Sequence, residues 1–112
     1  MAVGYAAGTT VTTGLQNTLI GGLAGDALTT GGANVALGYD ALGADTAGNG
    51  NVAIGKNALL VQNTSGDIFN TAVGFAAGAA VTTGVENTLI GALAGDALTN
   101  ADYNTALGYA TL

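Results

Sequence analysis

An all-β fold, a parallel β-solenoid with coils of 17 to 19 residues, is what this sequence predicts, on three observations. The phrase Asn34-Val35-Ala36-Leu37-Gly38 returns with small changes at residues 17–21, 51–55, 70–74, 87–91 and 104–108. Its closing glycines, Gly4, Gly21, Gly38, Gly55, Gly74, Gly91 and Gly108, stand 17, 17, 17, 19, 17 and 17 residues apart, and a fixed period of this size marks a repeat architecture. Helices are disfavoured throughout, because there are 20 glycines in 112 residues and each costs a helix interior about 1 kcal/mol relative to Ala.

Each part of the unit supports the coil. The phrase alternates as a strand requires, with Val35 and Leu37 pointing one way and Asn34 and Ala36 the other. The same parity holds for Thr18/Ile20, Val52/Ile54, Thr71/Val73, Thr88/Ile90 and Thr105/Leu107. Stacked in register at ~4.8 Å per coil, these phrases make a continuous parallel sheet. The Val, Ile, Leu and Thr ladder is expected to face inward, which leaves Leu19 and Leu89 outside with the small Ala36, Ala53, Ala72 and Ala106. Three residues past the motif glycine stand Ala7, Ala24, Ala41, Ala58, Ala77 and Ala94, small enough for a narrow coil interior. Eight residues past it stand Thr12, Thr29, Thr46, Asn63, Thr82 and Thr99, where Thr-Thr-Gly reads as a corner. Immediately after the glycine, Tyr5, Tyr39, Phe75 and Tyr109 alternate with Gly22, Lys56 and Ala92, so each ring can lean over a small neighbour.

A longer period is nested on this one. Residues 2–42 match residues 72–112 at an offset of 70, so whole blocks have duplicated. The seven coils form one repeat domain over residues 1–112, and because the sequence opens and closes inside a unit it reads as a fragment of a longer array.

Composition narrows the chemistry. The chain has no His, Cys, Pro or Trp, and one Lys against seven acids for a net charge of −6. Without His or Cys most hydrolytic and zinc chemistry lacks its usual groups, so no enzyme, metal or cofactor is expected. A single cation, Lys56, cannot build a phosphate site, and the negative charge repels nucleic acid and anionic membranes. Nearly half the residues are apolar, yet Asn, Thr, Asp and Gly interrupt every run before the ~18 residues that a membrane helix needs. The N-terminus carries no basic stretch of the kind that opens a signal peptide.

Four features are candidates for function. The column Asn17, Asn34, Asn51, Asn70, Asn87 and Asn104 reads as a side-chain amide ladder that fixes register; the sharper alternative is an axial column trapping ions between chains. The Thr column invites comparison with ice-binding arrays, but those need Thr pairs two residues apart, whereas Thr12-Thr13, Thr29-Thr30 and Thr82-Thr83 are adjacent. The acids Asp26, Asp40, Asp45, Asp67, Glu86, Asp96 and Asp102 lack the Gly-Gly-x-Gly-x-Asp spacing of calcium solenoids and read as solvated surface charge. The one 19-residue coil should bulge outward and expose Gln62, Asn63, Thr64, Ser65 and Asp67 as a surface contact loop suited to sugar hydroxyls.

The iterated N-[TV]-[AL]-[VIL]-G-x-x-A phrase with Gly- and Thr-rich corners resembles the head repeats of trimeric autotransporter adhesins, and the similar arrays of phage tail-fibre proteins. The likeness covers nearly the whole chain, although the family's repeat is usually shorter than the 17 to 19 residues here. The resemblance implies three chains, each a left-handed parallel β-roll, intertwined or side by side around a common axis. It implies a structural and adhesive fibre segment, outside the cell as a virion tail fibre or at a bacterial surface. The expected partners are the chain itself and a cell-surface glycan or protein receptor, with no nucleic acid and no membrane insertion. Other readings are an ice- or surface-binding solenoid and a self-assembling filament.

Overall fold

The computed structural model describes residues 1–112. Strands β1 (Ala2–Val3), β2 (Thr18–Ile20), β3 (Val35–Leu37), β5 (Val52–Ile54), β7 (Thr71–Val73), β8 (Thr88–Ile90) and β9 (Thr105–Leu107) form one parallel sheet of seven strands in chain order. Partners lie 17 residues apart, as Thr18 with Val35 and Thr88 with Thr105, except across the long coil, where Val52 pairs with Thr71 at 19. The chain is therefore a β-solenoid. A second, two-stranded sheet joins β4 (Gly48–Asn49) to β6 (Gly66–Asp67). No helix is long and apolar enough to cross a membrane.

The faces of the main sheet are the reverse of the sequence-based expectation. Leu19, Ala36, Ala53, Ala72, Leu89 and Ala106 are buried, and Val3, Leu37, Ile90 and Leu107 of the other parity are exposed. Two constraints decide it. The strand must face the buried column of Ala7, Ala24, Ala41, Ala58, Ala77 and Ala94 across a thin coil, which small residues fit. The Asn that heads each phrase shares the parity of the Ala and Leu positions, and only inside the coil can its amide meet the backbone groups described below.

The interior conserves volume by exchange between two columns. Where Leu19 points inward, the neighbouring position four residues past the motif glycine is Gly8 or Gly25, and a Cβ there would come within 2.6 and 2.9 Å of the Leu19 methyls. Leu89 likewise requires Gly78 and Gly95, at 2.8 and 2.7 Å. Where the strand carries Ala36 and Ala53 instead, the same position holds Leu42 and Leu59, both fully buried. Large against small in one region becomes small against large in the next, as constant packing density demands.

Corners carry the strain. The motif glycines have φ between 122° and 140°, and in Gly21 a Cβ would lie 2.6 Å from the carbonyl oxygen of Gly38 in the next coil. Two residues further, Ala6, Leu23, Asp40, Asn57, Ala76, Leu93 and Ala110 all take left-handed φ of 50–62°. Side chains there cost about 1 kcal/mol each. Ladder bonds such as Leu23 N–H to Tyr5 O (2.8 Å) and Asn57 N–H to Tyr39 O (3.0 Å) hold them in place.

Candidate functional site

The Asn column lies inside a single chain, not on an axis between chains: Asn17, Asn34, Asn51, Asn70 and Asn87 are buried. Each Oδ1 accepts the backbone N–H of the next Asn, at 3.0 Å from Asn34 to Asn17 and 2.9 Å from Asn51 to Asn34, Asn87 to Asn70 and Asn104 to Asn87. In four of the six, Nδ2 reaches a carbonyl in the following coil, Asn17 to Gly31 (2.8 Å), Asn34 to Gly48 (2.9 Å), Asn70 to Gly84 (2.7 Å) and Asn87 to Ala101 (2.9 Å). The side-chain amide thus stands in for a peptide group at a corner, satisfying an N–H and a C=O that burial would otherwise leave unpaired. Direct amide-to-amide bonds also occur, from Asn34 to Asn17 (3.2 Å) and Asn104 to Asn87 (3.0 Å).

The Thr hydroxyls are committed as well. Thr12 donates to Thr29 O (3.1 Å), Thr29 to Thr46 O (2.9 Å), Thr82 to Thr99 O (3.1 Å) and Thr46 to Asn63 Oδ1 (3.0 Å). In the regular coils the same carbonyl collects three backbone N–H groups: Thr29, Thr30 and Gly31 all donate to Thr46 O.

Asp45 corrects the surface reading of the acids, since it is fully buried. With Gln62 it occupies an inward column, seven residues past the motif glycine, that is otherwise Val11, Leu28, Val81 and Leu98. Alignment of the coils could have exposed both residues as polar intruders. Asp45 Oδ1 accepts Gly48 N–H (3.0 Å), and Oδ2 accepts Gln62 Nε2 (3.0 Å) and Asn51 Nδ2 (3.3 Å). Burial pushes its carboxyl above the usual range, against the opposing pull of the Gly48, Ala47 and Thr46 N–H groups and the Gln62 amide. Gln62 is therefore not a loop residue open to solvent; its Oε1 also accepts from Asn70 Nδ2 (3.3 Å).

The rest of the long coil is tethered. Asn63, Ser65 and Asp67 are exposed and Thr64 is half-buried, but β6 is stitched to β4 and Asn49 Nδ2 donates to Asp67 Oδ1 (3.2 Å). Ile68 turns inward and is buried, so the extra residues do not simply bulge.

Beside this stitch lies an open groove of about 420 Å³. Leu15 and Phe69 form its apolar walls, Gly32 and Gly50 its floor, and Asn49 and Asp67 a polar edge. Any side chain at Gly50 would collide with the Phe69 ring, at 2.5 Å from Cδ1, so the ring rests on bare backbone. The Asn49 amide is fixed, its Oδ1 accepting Gly32 N–H (2.8 Å). An apolar platform beside an oriented amide and carboxylate can hold a small polar ligand with a C–H face. Of the sequence-predicted loop, only Asp67 enters this groove; Phe69, Asn49 and Leu15 are brought there by stacking of distant coils.

The remaining charges are dispersed, and no three acids come together. The Asp40 carboxyl is raised above its ordinary value, first by burial and then by the negative Asp26. Lys56 does not seek an acid; its Nζ sits 6.0 Å from the centre of the Tyr39 ring. Comparison with protein-family models, with curated proteins and with solved structures finds no match for the chain.

Proposed function

We propose that the chain is a structural and adhesive fibre segment, a non-catalytic module that assembles as a homotrimer of left-handed β-rolls and displays a cell-surface binding region outside the cell. One observation carries the reading. The outward face of the main sheet is a continuous apolar ladder, Val3, Ile20, Leu37, Ile54, Val73, Ile90 and Leu107, next to a second column of Thr18, Val35, Val52, Thr71, Thr88 and Thr105. A contiguous apolar strip of this length on a soluble chain calls for a cover, and the one cover with the same pitch is another copy of the same solenoid. This outward ladder, not Leu19 and Leu89, is the surface that other chains would cover. Three copies around an axis would bury three ladders against one another, and the likeness to trimeric adhesin heads favours that number. The groove at Phe69 and Asp67 would remain available for a receptor.

Light scattering tests the assembly. The expected mass is three chains, persisting until the fold melts, with Leu37→Asp plus Ile90→Asp releasing folded monomers. A monomeric mass for the unaltered protein would overturn the reading. A second reading, an ice- or surface-binding solenoid, draws on the outward Thr18, Thr71, Thr88 and Thr105, although each stands two residues from an apolar Ile20, Val73, Ile90 or Leu107 rather than from a second Thr. A monomer that orders surface water on that face would show thermal hysteresis, and a trimer that buries it would not.

A further inference from the structure

We propose that the four aromatic rings just past the corner glycines, Tyr5, Tyr39, Phe75 and Tyr109, form a track for one neutral β-1,4-linked polysaccharide chain. This adds a ligand to the adhesive reading, on a surface beyond the glycine corner rather than on the apolar ladder, and does not depend on the number of chains assembled.

The rings are displayed rather than packed away. Tyr5 is 85%, Tyr39 52%, Phe75 52% and Tyr109 76% exposed, on a soluble chain where one such ring would be ordinary but an evenly spaced row is not. Their register is held by the backbone. The N–H groups of Leu23, Asn57 and Leu93 donate to the carbonyls of Tyr5 (2.8 Å), Tyr39 (3.0 Å) and Phe75 (2.8 Å). Between each pair of rings stands one residue of another kind, Gly22, Lys56 or Ala92. Tyr39 leans over Gly22, where a Cβ would lie 3.3 Å from its Cδ2, and Lys56 Nζ lies 6.0 Å from its centre. The ring is thus held between two coils, which lowers the ordering cost of binding.

The spacing selects the ligand. Successive rings are two coils apart, about 10 Å at the strand spacing of a sheet, and this is also the two-sugar repeat of a flat β-1,4-linked ribbon. Such a ribbon turns each sugar half a revolution from the last, so every second sugar offers the same C–H face to a straight row of rings. An α-1,4-linked glucan curls and cannot follow the row. Lys56, Asp40 and Asn57 stand beside the central rings, where equatorial hydroxyls need donors and acceptors. A net charge of −6 with a single cation argues against an anionic glycan.

The test uses the whole protein in whatever assembly it forms. Sedimentation with insoluble cellulose and with chitin asks which sugar is held, and titration with cello- and chito-oligosaccharides of increasing length asks whether rings act in a row. Binding to at least one ribbon is expected, with affinity rising in two-sugar steps and no binding to starch. Tyr39→Ala with Phe75→Ala should weaken binding about tenfold or more, the scale expected when one or two stacking rings are taken away from a sugar. Ala already stands at this register in Ala92, so the variant should keep the parent's melting temperature and scattering mass. Binding to neither ribbon, equal binding to starch, or undiminished binding by a folded variant would each overturn the proposal. Because scattering mass is read on the same samples, loss of the track and loss of the trimer are told apart.

Discussion

The outer coils around Leu19 and Leu89 and the central coils of residues 34–62 solve one packing problem in two ways. Around Leu19 and Leu89 the strand leucine fills the interior and glycines make room; in the centre Ala36 and Ala53 are matched by Leu42 and Leu59. The second difference is chemical. Elsewhere the corner N–H groups converge on a carbonyl of the next coil, as those of Thr82, Thr83 and Gly84 do on Thr99 O. The two extra residues of the long coil displace that carbonyl. The Gly48 N–H turns to the Asp45 carboxylate instead, and so does Asn51 Nδ2, whose counterparts in the other coils all find backbone. A buried acid is thus the local replacement for missing peptide groups, and Gln62 bridges it to Asn70. Every buried side-chain polar atom has a partner as a result.

The contrast can be broken or sharpened at several points. The largest effect should be common to both regions. Gly21→Ala in an outer coil and Gly38→Ala in a central one each add a Cβ 2.6 Å from next-coil backbone at φ of 128° and 140°. Both should lose about 4 kcal/mol from strain and overlap together, read by urea denaturation; a loss below about 1 kcal/mol would mean the corner relaxes easily. Next, Leu89→Ala should cost about 3 kcal/mol by leaving a cavity. Adding Gly95→Leu, which copies the central pairing of Ala53 with Leu59, should recover part of it, and no recovery would dismiss the exchange between columns.

Asp45→Leu copies Leu28 into the central column but strands the Gln62 and Asn51 amides, so about 2 kcal/mol should be lost. Shortening the long coil by two residues in the Asp45→Leu, Gln62→Val background should restore a regular carbonyl and regain stability. If the shortened chain is less stable than Asp45→Leu alone, the carboxylate is not standing in for a peptide.

The smallest effect is one of pH. Because the folded Asp45 carboxyl titrates above its value of 3.8 in the unfolded chain, its contribution is fully present below 3.8 and is lost as pH rises through the folded value. The difference in melting temperature between parent and Asp45→Leu should therefore change across that window and be flat above it. A difference that is constant through the acid range would place the carboxylate in contact with water.

Much of the fold was legible in the sequence because a repeat states its own register. The spacing of Gly4 to Gly108 determines which residues stack, and with them the parallel sheet, the Ala column and the Asn column. The spacing does not say which parity faces inward. Val, Ile and Leu look like a core in one dimension, but the coil is too thin for them, and the interior went to the Ala, Leu and Asn positions. Nor does a period reveal the left-handed corners at Ala6, Leu23 or Ala76, residues that do not advertise positive φ and adopt it because ladder bonds on the neighbouring coil hold them there.

The groove shows the same division. Asp67 could be nominated from the odd length of its coil, whereas Phe69, Asn49 and Leu15 meet it only because residues up to 54 positions apart stack into one wall. Sequence alone thus determined the repeat, the pairing register and the polar ladder, since these follow from identity at a fixed spacing. Only the tertiary structure decided which face is core, which acid is buried and which side chains share a surface, because those depend on how much volume a closed coil can hold.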